Sequence, residues 1–420
     1  MPLIDTNLEK NFLLFYLYGM ISLYTLTSTL HKEMVRNAAD EPFIREIEDA
    51  LGERFIFRGE DYSTYGTAYP DIIYVRTGGT EGLFKALELR PESPVLLLTS
   101  GRSNSLAASM EILSWLRLQG IPGEILHGNA EYIAGRIRDL ADRERTGIPG
   151  DSSGEVSPFV TSLPSADLGG IRLGVIGKPS DWLISSDVDY AKAKSRLNAE
   201  LIDIPMTELL SRIPSEGVDL KSFAGSEAIY DTLLGIIRDY RLGGLTLRCF
   251  DLLDTVRNTG CLALARLNAQ GIPSSCEGDI PVLLSMAYLQ KTTGCPGFQC
   301  NLSRCTGDEL LFAHCTVPLN MVDSYGYDTH FESGIGTAIK GELPSGDVEI
   351  FKIAPDLEHC VRIPGRLLRN ASESDLCRTQ IVVSAPGAAS YLLRSPLANH
   401  HILHFIQSPS GLNLLPKVEG

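Results

Sequence analysis

The sequence predicts an α/β protein: two Rossmann-like α/β domains followed by a C-terminal antiparallel β-barrel-like domain. Three observations predict it. A chain of 420 residues is too long for a single hydrophobic core and divides into two or three domains. From Ser22 to the Glu277 region, apolar strands alternate with helical patterns, the βαβ signature of parallel sheets. After Val317 the pattern changes to short alternating strands separated by turns, which marks an antiparallel barrel or sandwich.

Taken in chain order, residues 1–19 read as an N-terminal extension, or as the product of a start codon upstream of Met20. The uncharged stretch Phe12–Leu30 is near the length that spans a bilayer, but it carries Gly19, three tyrosines and several Ser/Thr. The residues before it, Asp5, Glu9 and Lys10, lack the basic start of a signal peptide. The first domain, 20–165, has strands at Ile72–Val75 and Val95–Leu98 and helices at Glu81–Leu87 and Leu106–Leu118. It ends in a Gly-, Ser- and Pro-rich linker between Asp142 and Ser165. The second, 166–316, opens on the strand Ile171–Gly177 and runs through helices near Ala191–Leu201 and Ser226–Tyr240 to Glu277. The third, 317–420, places strands at Ile335–Glu342, Val348–Ile353, Thr379–Val383 and Ile402–Phe405.

Composition narrows the function. A net charge of −15 argues against a nucleic-acid or anionic-membrane partner, since both demand a basic face. All nine cysteines lie between Cys249 and Cys377, without the close spacing of zinc ligand pairs, and an odd count fits reduced thiols in a cytoplasmic protein. They read as small buried hydrophobes rather than metal or redox groups.

The chemistry-bearing stretch is Ser275-Cys-Glu277-Gly-Asp279. A strand, a small-residue turn and a carboxylate deliver an acid to the carboxyl edge of a parallel sheet, where ligands bind. Asn301, His314 and the Asn399-His400-His401 triplet follow, so oxygen and nitrogen donors could converge there on one divalent ion. The Gly-rich segments Arg76–Glu81 and Ser100–Asn104 each follow a strand and precede a helix. They read either as backbone cradles for an anion or a hydroxyl, or as tight turns capped by Thr80 or Ser105. Neither fits a nucleotide-binding pattern. Trp182, beside Lys178 and Asp181, reads as a stacking surface or as a core residue. His31, His127, His359 and His404 read as structural or surface residues.

Six segments in order resemble the L-fucose isomerase and L-arabinose isomerase superfamily, metal-dependent aldose-ketose isomerases. They are Arg76-Thr-Gly-Gly-Thr-Glu81, Gly177-Lys-Pro-Ser-Asp-Trp-Leu-Ile184, Cys276-Glu-Gly-Asp279, Phe312-Ala-His-Cys315, Thr329-His-Phe-Glu-Ser333 and Asn399-His-His401. The resemblance implies a Mn²⁺-class ion held by Glu277, Asn301, His314 and His400, with Glu277 and Asp279 as catalytic carboxylates. It implies a sugar site drawn from Arg76, Thr80, Arg102, Asn104, Trp182 and His330, with Glu332 nearby. It also implies a homo-oligomer in which the first domain covers a neighbouring subunit's site. One position departs from the pattern: the second ligand carboxylate falls on Asn301, which can donate an oxygen to a hard cation but cannot take a proton. The implied reaction moves a proton between C1 and C2 of a sugar through a cis-enediol. A catalytically silent sugar-binding protein or an epimerase on the same fold are the alternatives.

Overall fold

The computed structural model describes residues 21–28, 38–67, 70–89, 93–146, 157–214 and 216–406. The expected extension at 1–19, Met20, His31 and the 147–156 part of the linker lie outside them.

The first unit is a five-stranded parallel sheet of β1 (Ser22–Leu26), β2 (Ile56–Gly59), β3 (Asp71–Val75), β4 (Val95–Thr99) and β5 (Gly123–Leu126), in the order β2-β1-β3-β4-β5. Strands β1, β3 and β4 are buried along their whole length, which is why they read as nearly continuous apolar runs. β6 (Val160–Ser162) lies inside the expected linker, yet pairs with a strand far downstream.

A second parallel sheet holds β7 (Ile171–Ile176), β8 (Ala199–Ile204), β9 (Gly244–Leu247) and β10 (Ser274–Cys276), in the order β10-β9-β7-β8. β8 starts inside a stretch that reads as helical, because Asn198 adopts a left-handed conformation and ends the Tyr190–Leu197 helix.

The C-terminal region is a closed six-stranded antiparallel barrel. Its strands are β11 (Phe298–Thr306) and β12 (Glu309–His314), then, after a separate hairpin of β13 (Ser324–Asp328) and β14 (Ala338–Glu342), β15 (Gly346–Ile353), β16 (His359–Ala371), β17 (Thr379–Ser384) and β18 (His400–Phe405). The order is β15-β18-β11-β12-β17-β16, and β16 pairs back onto β15. Thirteen residues let β16 serve both neighbours: Cys360–Leu367 pairs with β15, and Arg366–Ala371 with β17 beyond an irregularity at Leu367/Arg369. The interior is filled by alternate residues such as Phe298, Cys300, Leu302, Ile350, Ile363 and Leu403.

The barrel therefore begins at Phe298, not after Val317 as the pattern predicts. Residues 298–303 are buried on both faces, so β11 shows no polar alternation to betray an antiparallel strand. The helix Ile280–Thr293 joins the second sheet to the barrel, and each of its residues from Ile280 to Leu289 is buried. The helix Ser105–Leu118 does the same for the first unit, its apolar side chains continuing into the barrel core. Seven of the nine cysteines are buried. Among the described residues no helix is long and apolar enough to cross a membrane.

His127 fastens the first unit to the barrel: its Nε2 accepts the Cys305 backbone N–H at 3.1 Å. Burial pushes its pKa down to about 4. The folded state thus refuses a proton that the unfolded chain accepts near pH 6.5, so this group's stabilisation is complete above pH 6.5 and is lost as the pH falls towards 4. Thermal midpoints measured between pH 7 and pH 4 should fall less steeply in His127→Gln, which cannot be protonated, than in the wild type. Parallel curves would remove His127 from the acid sensitivity of the fold.

Candidate metal centre

The site starts at a strained turn. Beyond β10, Glu277 (φ +65°) and Gly278 (φ +74°) are both left-handed, which a residue with a Cβ adopts at a cost of about 1–3 kcal/mol. At Gly278 only glycine fits, since a Cβ would meet the Lys178 carbonyl oxygen at 2.3 Å. The neighbours fix the turn: Gly278 N donates to Leu247 O at 3.1 Å, Ser180 N to Glu277 O at 3.0 Å, and Cys276 N to the Gln299 side chain at 2.7 Å. This geometry carries the Glu277 side chain away from the sheet and over the end of the barrel.

Strand register supplies the partners. Asn301 on β11 lies opposite His400 on β18 and opposite Ala313 on β12, one residue before His314. Glu277 Oε1 is 3.4 Å from His400 Nε2 and 3.9 Å from His314 Nε2, and the three potential ligand atoms lie within 4.8 Å of one another. Each imidazole is held from behind: His400 Nδ1 lies 3.0 Å from Asp279 Oδ2, and His314 Nδ1 2.8 Å from Thr316 Oγ1. A ring anchored at Nδ1 with Nε2 facing a carboxylate is the arrangement of metal-binding histidines. Asn301 Oδ1 is buried and lacks a hydrogen-bond partner, and His400 Nε2 faces the Glu277 carboxylate, so the donor set fits a cation of oxygen and nitrogen preference.

The electrostatics are consistent with that fit. Burial alone would raise the Glu277 carboxyl, but the facing His400 and His314 imidazoles overcome it and hold the group well below the usual carboxylate range. Burial alone would lower His400, but the Glu277 and Asp279 carboxylates push it up to about 10. Between these two carboxylates the His400 ring favours its protonated form.

Two small adjoining cavities, of about 30 and 20 Å³, lie beside the centre and share Asn104, Phe250, Glu277, Asn301 and Glu332 in their walls. Trp182 lies in the wall and also donates its indole N–H to Glu277 Oε2 at 2.5 Å, with its ring packed edge-on against Phe250. Asn104 donates to Glu332 Oε1 at 2.7 Å, and His330 lines the second cavity with Nδ1 3.0 Å from Ser333 Oγ. Gly78, Gly79, Glu81, Ala107 and Ala108 bring the first unit of the same chain into the wall.

Four expected site residues have other work. Arg76 is buried against Glu41, with Nε at 2.8 Å, and against Thr27. The Thr80 hydroxyl donates to the Thr77 carbonyl, and its side chain makes no cap. Arg102 is exposed beside Asp375 at 3.3 Å. Asp279 is fully buried, Oδ1 capping the Ile280–Thr293 helix through Val282 N at 3.0 Å and Oδ2 holding His400, so it positions the His400 ring and lines neither cavity.

Sequence reasoning missed Phe250 as a cavity residue, and it named Asn399 and Glu81 only as members of the Asn399–His401 and Arg76–Glu81 segments. Phe250 follows the carboxyl end of β9, the rule that found Trp182, and could have been found the same way. It also missed Glu111, whose Oε1 accepts Ser185 N at 2.7 Å and whose Oε2 accepts Asn399 N at 3.0 Å, and Lys352, buried in β15. Burial lowers the Lys352 ammonium, against the opposing pull of Asp279 and Glu111. For Glu111 the available signal was an acid inside a run of small and apolar residues, whereas Lys352 shares its strand with Asp347 and Glu349 and gave none.

Elemental analysis of protein purified with manganese should find about one ion per chain, lost in the Glu277→Ala/His400→Ala double variant. Asp279→Asn should keep the ligands but lower metal affinity by about 10- to 100-fold, because the His400 ring loses its anchoring charge. An unchanged affinity would reduce Asp279 to a helix cap. No family model matches this chain, and no curated protein matches it, so the centre rests on its geometry.

Proposed function

We propose that the chain is a metal-dependent aldose-ketose isomerase of the fucose and arabinose isomerase type, acting on a sugar or modified sugar through a cis-enediol. The observation that carries this reading is the convergence of Glu277, His314 and His400 within 4.8 Å, with the unpartnered Asn301 oxygen on the neighbouring strand and a cavity alongside. Glu277, Asn301, His314 and His400 would hold a Mn²⁺-class ion. Such an ion, when bound, polarises a sugar carbonyl and eases deprotonation of the adjacent hydroxyl.

The chain's own groups divide the remaining work. Asn104, Asn301, Asn399 and Glu332 offer donors and acceptors to sugar hydroxyls, against a wall of Trp182 and Phe250. Helix Ser105–Leu118 limits water access by closing the cavity from the first unit. Glu277 is better placed as a ligand than as the base expected of it. Trp182 holds one oxygen, the imidazoles face the other, and its low proton affinity suits metal binding and not proton abstraction. Glu332, which lines both cavities, is the carboxylate that takes the C–H proton. The reading carries with it a cytoplasmic location and a homo-oligomer.

A coupled ketose assay over a panel of aldoses and 6-substituted aldoses, run with Mn²⁺, should find one that turns over and should lose that activity on chelation. Glu332→Gln should lower kcat by about 10²- to 10⁴-fold with metal content unchanged, whereas Glu277→Gln should weaken metal binding. Tight binding of one sugar without turnover would replace the isomerase reading by the silent binder that Asn301 invites.

A further inference from the structure

β11 brings an amide, Asn301, to the position where the resembling enzymes carry a second carboxylate. Another carboxyl lines the same cavity from the first unit. Glu81 opens the short helix Glu81–Ala86, is 2% exposed, and shares the cavity wall with Glu277, Asn301, Asn104, Glu332 and Asn399. Its Oε2 is wholly enclosed and has no hydrogen-bond partner. The next residue, Gly82, packs on the Asp181 carbonyl, where a Cβ would come within 3.0 Å, so the helix start is seated directly against the loop that carries Trp182.

No structural bond explains why Glu81 buries that Oε2. Its backbone N–H bonds its own side chain. Burial, followed by the negative charges of Glu111, Glu277 and Glu332, pushes its pKa well above the ordinary range and so favours the protonated acid. A neutral carboxylic acid in a cavity of carboxylates and amides is a hydrogen-bond and proton donor.

We propose that Glu81 is the catalytic acid of the isomerisation, serving the two sugar oxygens while Glu332 serves the two carbons. The proposal rests on the isomerase reading above. Glu332 removes the C2 proton, the C–H electron pair forms the C1–C2 double bond, and the C1 carbonyl electrons move to O1, which takes the proton of Glu81. In the second half the Glu81 carboxylate takes the O2 proton, the C2 carbonyl forms, and the double-bond electrons accept the proton of Glu332 at C1. Both carboxyls return to their starting states, and no oxidant, reductant or external proton is used.

The test is Glu81→Gln in the full-length, Mn²⁺-loaded protein, assayed on the aldose that the wild type converts. The expected result is a kcat lower by about 10²- to 10⁴-fold with KM within about threefold, since the amide fills the same space and binds but cannot exchange the proton. Metal content and thermal midpoint should be kept. In the metal-free protein at neutral pH, the infrared carbonyl band of protonated carboxylic acids should lose intensity in Glu81→Gln. A kcat within about threefold of wild type, or no change in that band, overturns the proposal and leaves the isomerase reading standing. Should Glu81→Gln fail to fold, Glu81→Asp decides: the withdrawn acid must lower kcat while metal is retained, and a wild-type kcat overturns the proposal. A wild type that converts no sugar overturns both.

Discussion

A single buried carboxylate, Asp279, ties the backbone of this protein to its chemistry. One oxygen satisfies the first turn of the helix that joins the second sheet to the barrel, and the other fixes the ring of His400 on β18. Both Asp279 and His400 are wholly removed from solvent, where an unpaired charge would be costly, so each depends on the other. Burial opposes the Asp279 charge, yet Lys352 and His400 hold its pKa below the usual value. The turn before it, strained at Glu277 and closed by Gly278, is stable only because this cap and the surrounding backbone bonds over-determine it.

The three units meet around a second buried acid. Glu111, in the middle of an otherwise apolar helix, accepts one backbone N–H from the loop after β7 and another from the residue before β18. Burial raises its pKa, and Lys352 offsets part of that rise. The apolar surfaces supply most of the attraction between the units, but they are non-directional and tolerate sliding. Glu111 fixes the register between them. That register sets where Asn104 and Glu81 stand relative to Glu277, so the cavity inherits its shape from a contact that touches no ligand.

The sequence made some of this legible and hid the rest for definable reasons. β3 and β4 were visible because parallel strands buried on both faces leave unbroken apolar runs. The same double burial disguised β11, and the polar linker composition disguised β6, which borrows its partner from β16 about 200 residues away. Glu277, His314 and His400 were found because the strand–turn–carboxylate pattern and the ordered motifs put them at strand ends. Arg76 was misplaced because its partner, Glu41, lies 35 residues upstream, and no local spacing announces an ion pair of that kind. Glu81 sat in view at a helix start, where acids are ordinary. Only its enclosure distinguishes it, and enclosure is a property of the fold.

The left-handed backbone at position 277 sets two demands against each other. The turn prefers glycine there, and the candidate centre draws its carboxylate from the same position. The chain carries the residue that is worse for its backbone. A protein evolved in the laboratory for heat resistance alone would drift towards Glu277→Gly, gaining ease in the turn while erasing the carboxylate of the candidate centre. At this position an easy backbone and a buried acid are competing traits, and the glutamate records which of them the chain carries.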